Sequence, residues 1–258
     1  MPGLMLQLEQ YILVVTRVGC ILFLLPIWDS RVIPQQIRVF SIMVIALALT
    51  PVVAGSLPPF PETWLTAVGL VLRELLLGLS LGLVVSFVFS GIQMAGDLTG
   101  IQMGFGMVNL INPASGVHTT VMGDILLLAA TVLFLAADGH HLLLAVLAQS
   151  FGEVPVGGPL AMPGSLFSIL IPMGNLMFQL MIKLVAPIIL VLFLTQIAMG
   201  LVGRTVPQIQ VMILAFPVTI ALGLVFLSLS LMIMGNYLAG QFTSLRGPLV
   251  LVLRAWHG

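Results

Sequence analysis

Few side chains in this sequence could carry chemistry, and the best candidates lie in apolar surroundings. Asp97 follows Gln93 by four residues, so the two share one face of a helix. A carboxylate in an apolar helix is costly unless it is paired or hydrated. Asp97 could therefore be a satisfied structural group, a residue of a water-filled cavity, or a proton or ion site. No basic residue lies nearby in the sequence to form a proton relay with it.

A second polar cluster runs from Asp138 to His141 and interrupts an apolar stretch. Its two adjacent histidines point in different directions on a helix, which makes them a poor metal pair. Asp138 and His141 could face together, with His118 and Asp124 as conceivable partners. A zinc site usually needs three or four ligands in a recognisable spacing, and the sequence contains no such spacing. We predict no metal and no cofactor, and we assign Asp138 to a helix boundary as a cap or turn residue.

Several charged residues lie inside apolar stretches without an obvious mate. Arg73 and Glu74 are adjacent, so they cannot pair with each other on a helix. Each needs a partner elsewhere in this chain or in another, and such scattered charges suit a subunit of an assembly. We predict possible intersubunit polar contacts at Arg73, Glu74, Gln93, Asp97, Lys183 and Arg204.

The motifs of the common enzyme classes are missing from the sequence. It has no nucleophile elbow, Walker loop, zincin motif or dinucleotide fingerprint. An intramembrane enzyme would have only Asp97, Asp124 and His118 as candidate catalytic groups, so we predict that the protein is not an enzyme. Eight basic and eight acidic residues cancel, which argues against nucleic acid, because binding it needs a basic stripe.

The composition is that of an integral membrane protein. Of the 258 residues, 60% are hydrophobic and only 6% are charged, against about 25% charged residues in soluble domains. Lipid or other protein must therefore cover most of the surface. We expect no cleaved signal peptide, because Glu9 precedes the first apolar run and Arg17 lies within it.

Six apolar blocks predict membrane helices, since a span needs about 20 apolar residues and none of the blocks alternates as barrel strands do. One block is too long for a single straight span, and Pro172 or Pro187 could split or kink it. The blocks are 10–28, 39–54, 64–90, 121–150, 166–202 and 209–239.

Six simple spans conflict with the positive-inside rule. They place the loops containing Arg38 and Arg204 on one side and the tail containing Arg246 and Arg254 on the other. Either the count of six is wrong, or the apolar blocks do not cross the bilayer as successive antiparallel spans. The sequence contains no fixed-period repeat, and one domain is expected.

The segment 104–116 is both irregular and apolar. Gly104 and Gly106 are permissive backbone positions, and Asn112-Pro113 is typical of turns. An irregular backbone cannot face lipid, so it must be buried in protein or line a cavity. This predicts a re-entrant loop or a pore plug, with a surface loop as the alternative. Small residues on helix faces let another backbone approach, either in this chain or in another subunit, and we predict such packing at Gly78, Gly82, Gly96 and Gly100.

The sequence resembles the FliR family of flagellar type III export-gate subunits over essentially its whole length. The resemblance rests on GIQMAGDLTGIQMGFGMVNLINPASG, DGHHLLLAVLAQSF and RTVPQIQVMILAFPVTIALGL in this order, with RELLLGLSLGL upstream. Virulence-secretion homologues form the other branch of the family. The DGHH and Arg-Thr-Val-Pro forms look more flagellar.

The resemblance implies an all-α membrane protein of long, kinked helical hairpins within a helical, multi-subunit gate. One copy would combine with several FliP and FliQ chains in a closed cone at the basal body in the bacterial inner membrane, wrapped by FlhB from the cytoplasm. About 1–185 would be a FliP-like part and about 186–258 a FliQ-like C-terminal hairpin. Unfolded flagellar proteins would pass through the gate.

The resemblance also implies that the loop after the glycine-rich helix fills the pore. A secondary transporter is the remaining alternative, but its paired broken helices would require a second element like 104–116, and none is visible. The implied plug residues are Gly104, Phe105, Gly106, Met107, Val108, Asn109, Leu110, Ile111, Asn112 and Pro113.

Overall fold

The computed structural model of the protein describes residues 2–26, 34–53, 63–105, 120–157, 162–205 and 211–257. These residues form α-helices and turns, with no β-strand in the described ranges. The predicted all-α fold class is therefore confirmed. The helices are α1 (Pro2–Phe23), α2 (Gln35–Val53), α3 (Trp64–Met103), α4 (Val121–Ala136), α5 (Gly139–Glu153), α6 (Ser165–Thr205), α7 (Val211–Ser244) and α8 (Arg246–His257).

Three helical stretches of the described chain are long and apolar enough to cross a membrane. They are Trp64–Met103, Ser165–Thr205 and Leu214–His257, and α4 with α5 would count as a fourth if that interrupted pair is one span. The apolar parts Tyr11–Phe23 and Gln35–Pro51 are shorter. By length and composition, the described residues thus contain three or four candidate spans, compared with the six apolar blocks of the sequence.

The long helices exceed what a bilayer requires. At 1.5 Å per residue, the 40 residues of α3 extend about 60 Å, roughly twice the about 30 Å of hydrocarbon. α3 continues past the apolar block 64–90 through Asp97 to Met103. α6 runs unbroken through Pro172 and Pro187, so the split considered there is absent. Apolar helices tolerate proline where neighbouring groups satisfy the freed carbonyls.

The chain divides into two compact units. The first unit comprises Met1–Phe87, Ala137–Gly174 and Phe242–Gly258. Within it α1 packs on α2, and α8 packs on α5. α8 is amphipathic, and the indole Nε1 of Trp256 on its buried side donates a hydrogen bond to the Ser80 hydroxyl at 3.2 Å. The other buried α8 residues recur at helical spacing, and they are Leu249, Val252 and Leu253.

The second unit comprises Val88–Ala136 and Asn175–Gln241. It contains the C-terminal part of α3, α4, and most of α6 and α7. Within this unit α6 and α7 form an antiparallel hairpin, because contacts link Lys183 to Tyr237 and Ser230 to Leu184. A Cβ built at Gly91 would lie 2.5 Å from the Met177 carbonyl oxygen, so α3 can approach α6 this closely only with glycine at that position.

Candidate functional site

The C-terminal end of α3 is closed by a glycine cap. Gly104 has φ of 100°, a left-handed conformation that glycine adopts without steric cost. The Phe105 amide donates to the Gly100 carbonyl at 2.9 Å, and the Gly104 amide donates to the Ile101 carbonyl at 3.1 Å. This pair of bonds is the Schellman arrangement. The chain therefore leaves α3 abruptly at the start of the predicted plug segment.

The end of α3 is held against α7 within the second unit. The Thr219 hydroxyl lies 3.4 Å from the Met103 carbonyl oxygen and 3.0 Å from that of Phe216. A Cβ built at Gly104 would lie 2.6 Å from the Phe216 ring, and one at Gly223 would lie 2.6 Å from Met103 Cγ. Gly104, with its positive φ, is required for this packing, and Gly223 leaves room for the Met103 side chain.

The chain returns to α3 at Thr120, the N-cap of α4. The Thr120 hydroxyl accepts the Gly123 amide at 3.0 Å, which satisfies one free amide of the first helical turn. The Asp97 carboxylate accepts the Thr120 amide at 2.7 Å and its hydroxyl at 3.1 Å. These two hydrogen bonds make Asp97 a satisfied structural group, which is one of the three roles considered for it above.

Glycines on α3 make this return possible. A Cβ built at Gly100 would lie 2.5 Å from Thr120 Oγ1, and one at Gly96 would lie 2.7 Å from the Met122 carbonyl oxygen. A Cβ at Gly123 would collide with the Asp97 carboxylate. The predicted small-residue face at Gly96 and Gly100 therefore receives α4 of the same chain.

The described residues on either side of 106–119 both contact the last turns of α3, Phe105 through Gly100 and Thr120 through Asp97. Of the predicted plug residues, the structure describes Gly104 and Phe105. The remaining ones lie outside the described residues, and they are Gly106, Met107, Val108, Asn109, Leu110, Ile111, Asn112 and Pro113.

A buried ion pair lies at the centre of the first unit. Arg17 on α1 binds both carboxylate oxygens of Glu74 on α3, through Nε and through Nη2, the latter at 3.0 Å. The exposed fractions of the two side chains are 0% and 1%. Glu74, predicted to need a partner in this chain or another, finds it in this chain. Bidentate, charge-assisted pairs of this kind are the strong ones.

The same guanidinium also caps the C-terminal end of α5. Its Nη1 donates to the carbonyl and hydroxyl of Ser150 at 2.9 and 3.3 Å, and Nη2 donates to the Val154 carbonyl at 3.0 Å. A cation is favourable at a helix C-terminus. The Arg17 group also lies 4.2 Å from the centre of the Phe151 ring. All five N–H donors of the guanidinium therefore have partners.

Glycines again allow the pair to form. A Cβ built at Gly78 would lie 2.7 Å from Cys20 Cβ and 2.9 Å from the Arg17 carbonyl oxygen. A Cβ at Gly82 would lie 2.7 Å from Leu24 Cδ1. The structure thus places the predicted packing glycines of this part of α3 against α1, next to the ion pair. Sequence reasoning missed Arg17 as a site residue, although an arginine inside an apolar run was a usable signal.

The other predicted polar positions are not brought together. Arg73 is 6% exposed, and its Nη1 donates to the Pro155 carbonyl at 3.0 Å. Gln93 is half-buried one turn before Asp97. Lys183 is exposed on α6, where its ammonium donates to the Tyr237 hydroxyl at 3.0 Å. Arg204 is exposed in the last turn of α6.

Among the described residues, one group could bring three metal-ligand atoms within 4.8 Å of one another, namely Asp138, His140 and His141. Asp138 lies at the predicted helix boundary with φ of 54° and makes no side-chain cap. Its carboxylate contacts His141 Nδ1 at 3.2 Å, and both side chains are at least 70% exposed. Two ligands from adjacent positions on an exposed turn do not resemble a zinc site, and the absence of a metal stays a prediction.

Comparison with known proteins matches most of the chain to one family. Residues 8–245 match the family model described as bacterial export proteins, family 1. The flagellar biosynthetic protein FliR of Escherichia coli (strain K12) is 30% identical over 218 residues, covering 84% of this chain and 82% of that protein. The FliR of Bacillus subtilis (strain 168) is 28% identical over 249 residues, covering 94% and 95%.

A third relative extends the pattern to another organism. The FliR of Caulobacter vibrioides (strain ATCC 19089 / CIP 103742 / CB 15) is 30% identical over 219 residues, covering 85% of this chain and 87% of that protein. The family model covers most of the chain, and the relatives align over most of their own lengths. The chain therefore belongs to the FliR family of bacterial export proteins.

Proposed function

We propose that this chain is one subunit of the flagellar type III export gate and forms, with FliP and FliQ, the closed pore through which unfolded flagellar proteins leave the cell. Family membership makes it a membrane-embedded component of the flagellar export apparatus. The relatives are named flagellar biosynthetic proteins, which favours this branch over virulence secretion. The proposed role is structural and not enzymatic.

The exposed apolar faces of α6 and α7 support assembly with other subunits. Met232 and Ile233 are 84% and 75% exposed, and Leu201 on α6 is 61% exposed. With 41 and 34 residues, α6 and α7 are about 60 Å and about 50 Å long, more than the about 30 Å of hydrocarbon. Protein partners would cover the remaining apolar surface. We propose that this surface is covered by FliP, by FliQ and by FlhB, which wraps the gate. The assembly would lie in the basal body at the inner membrane.

The α6–α7 hairpin supports the division into two family-like parts. We propose a FliQ-like hairpin over about 186–258 after a FliP-like part over about 1–185, and the contacts Lys183–Tyr237 and Ser230–Leu184 join α6 to α7 at the boundary between these parts. Lys183 and Arg204 lie exposed on this hairpin, and the buried Nε of Arg73 has no hydrogen-bond partner among the described residues. These three residues are our proposed polar contacts with neighbouring subunits.

The plug is the core of the proposal, and the described residues that flank 106–119 support it. Thr120, which follows the segment, is bound by Asp97, and Gly104, which precedes it, caps α3 against Phe216 of α7. The intervening sequence contains apolar residues bounded by glycines. Dewetted apolar constrictions block ions, and glycine allows displacement when an export substrate passes. A segment with these properties closes a pore and remains able to open.

Deleting residues 106–112 tests this role. We expect assembled gates that carry the deletion to make the membrane leaky to small ions, measured as the conductance of the reconstituted complex. Replacing the same residues with an equally long Gly/Ser run is the matched control for length, and it should leak as well because the apolar filling is lost. Unchanged ion permeability in gates that still co-purify with FliP and FliQ would contradict the proposed plug.

A further inference from the structure

One face of α7 packs against the end of α3 within the second unit. Phe216, Thr219 and Gly223 follow one another on α7 at intervals of three and four residues, so they share this face. The Phe216 ring lies directly on Gly104, where a Cβ would be 2.6 Å from ring carbon Cε1 and 2.7 Å from Cδ1. The ring therefore occupies the space beside the residue at which the chain leaves α3.

The residue before Gly104 is enclosed by the same face of α7. Met103 is 0% exposed, and its side chain lies against Gly223. Its carbonyl is among the last four of α3, which have no amide partner within the helix. The Thr219 hydroxyl lies 3.4 Å from this carbonyl oxygen. Both of the last two residues before Phe105 thus contact α7.

The end of α3 needs such a support because it turns at a glycine. Glycine adopts left-handed and other backbone conformations at similar cost, so Gly104 alone does not determine the direction in which the chain continues. The Phe216 ring restricts that choice by packing against the glycine. Residues 106–119 begin two positions later, and their starting point therefore depends on α7.

We propose that Phe216 is a positioning residue of the gate, which keeps residues 106–119 in the closed arrangement by holding the Gly104 turn against α7. This inference rests on the plug role proposed above for that segment. An apolar constriction excludes ions only while its side chains fill the pore, so a plug whose starting point is free to shift should leak. Met103, Thr219 and Gly223 support the contact by keeping α3 and α7 together.

The test measures the ion conductance of complete gates, co-purified with their partners and reconstituted in vesicles without export substrate. Phe216→Ala should raise the leak at least about tenfold, because even half the cost of truncating a buried phenylalanine exceeds the free energy that a factor of ten represents. Phe216→Leu keeps apolar bulk over Gly104 and should leak less than Phe216→Ala. Phe167→Ala is the matched control, since Phe167 is 56% exposed and belongs to the first unit, and its leak should equal that of the wild type.

A disulfide can replace the support that the ring provides. Met103 Cγ, which occupies the place of a cysteine sulfur, lies 2.6 Å from a Cβ built at Gly223. We therefore expect Met103→Cys and Gly223→Cys to form a disulfide in a Cys20→Ala background, which removes the single native cysteine. Oxidation should restore ion tightness to Phe216→Ala gates, and reduction should make them leak again. A loss of general stability would not be repaired by this one local link.

Combining Phe216→Ala with the deletion of residues 106–112 separates this inference from the plug itself. Two changes that act through the same segment are not additive, so Phe216→Ala should add no leak to gates that already lack the plug residues. An equally large added leak in the deleted gates would overturn the positioning role.

The deletion alone distinguishes the two failures. Ion-tight gates after the deletion would refute the plug, and the positioning role would fall with it. Leaky deleted gates together with ion-tight Phe216→Ala gates would refute the positioning role and leave the plug in place. A Phe216→Ala leak that persists in the oxidised cysteine pair would also contradict the role, because the end of α3 is then already fixed to α7.

Discussion

The Arg17–Glu74 pair should behave as a buried ion pair whose two members depend on each other. We expect Arg17→Met to destabilise the protein strongly, because it leaves the Glu74 carboxylate at 1% exposure without its counter-ion. It also removes the donors that bind the carbonyls of Ser150 and Val154 at the end of α5. One substitution therefore removes the donors to the Glu74 carboxylate and to the Val154 carbonyl, and it leaves the Ser150 carbonyl with the Val154 amide alone.

The expected magnitude follows from what is lost. Removing one member of a buried pair costs about 3–5 kcal/mol of the free energy of unfolding. Replacing both members with apolar residues of similar size is often neutral or stabilising, so Arg17→Met with Glu74→Leu should recover most of the loss. The carbonyls of Ser150 and Val154 remain without the arginine, at about 1 kcal/mol each. The double variant should therefore lie about 1–2 kcal/mol below the wild type.

The assay is equilibrium unfolding of the full chain in mixed detergent micelles, applied to the wild type, both single variants and the double variant. Arg254→Met is the matched control, because this arginine is exposed and should change stability by less than about 0.5 kcal/mol. The reasoning is refuted if Arg17→Met lies within about 1 kcal/mol of the wild type, a loss far below that expected for a buried pair. A double variant no more stable than the single variant would refute it equally.

Three further substitutions test the helix ends and the glycine contacts. Asp97→Ala should lose two charge-assisted hydrogen bonds to Thr120, which lowers the free energy of unfolding by about 3 kcal/mol in total, and it should make assembled gates leak ions. Asp97→Asn keeps an acceptor, so its effects on unfolding and on ion conductance should both be smaller. Gly104→Ala should cost more than about 1 kcal/mol in unfolding free energy, because alanine is strained at positive φ, and a smaller loss would contradict the cap. Gly78→Ala should destabilise the chain, because its Cβ would collide with the Arg17 carbonyl of α1. Gly174→Ala, whose Cβ has no described atom within 4 Å, should stabilise the chain by about 0.5–1 kcal/mol. Similar effects at both glycines would argue against the packing.

Composition and apolar runs were sufficient to predict the fold class. A chain with 6% charged residues has no soluble alternative, and continuous apolar blocks favour helices over barrel strands. Helix ends were harder to locate, because polarity does not by itself end a helix. α3 continues through Gln93 and Asp97 to Met103, and α6 passes through two prolines that sequence reasoning considered as breaks.

The site was predictable in its parts and not in its pairings. Gly104 was identified as a permissive position at the end of a helix, and the costly carboxylate of Asp97 was recognised. Its partner Thr120 lies 23 residues away, and Glu74 lies 57 residues from Arg17. Local spacing carries no information on such distant contacts, which depend on how whole helices pack. The sequence therefore indicated which groups needed partners without indicating where those partners lie.

The two capped helix ends have a consequence for the proposed gate. The carbonyls of Gly100 and Ile101 accept the amides of Phe105 and Gly104, and the Thr120 hydroxyl accepts the Gly123 amide. Every donor and acceptor in these bonds lies outside residues 106–119. In the proposed gate, a passing polypeptide would therefore displace that segment without breaking these bonds, and the ends of α3 and α4 would survive repeated opening and closing.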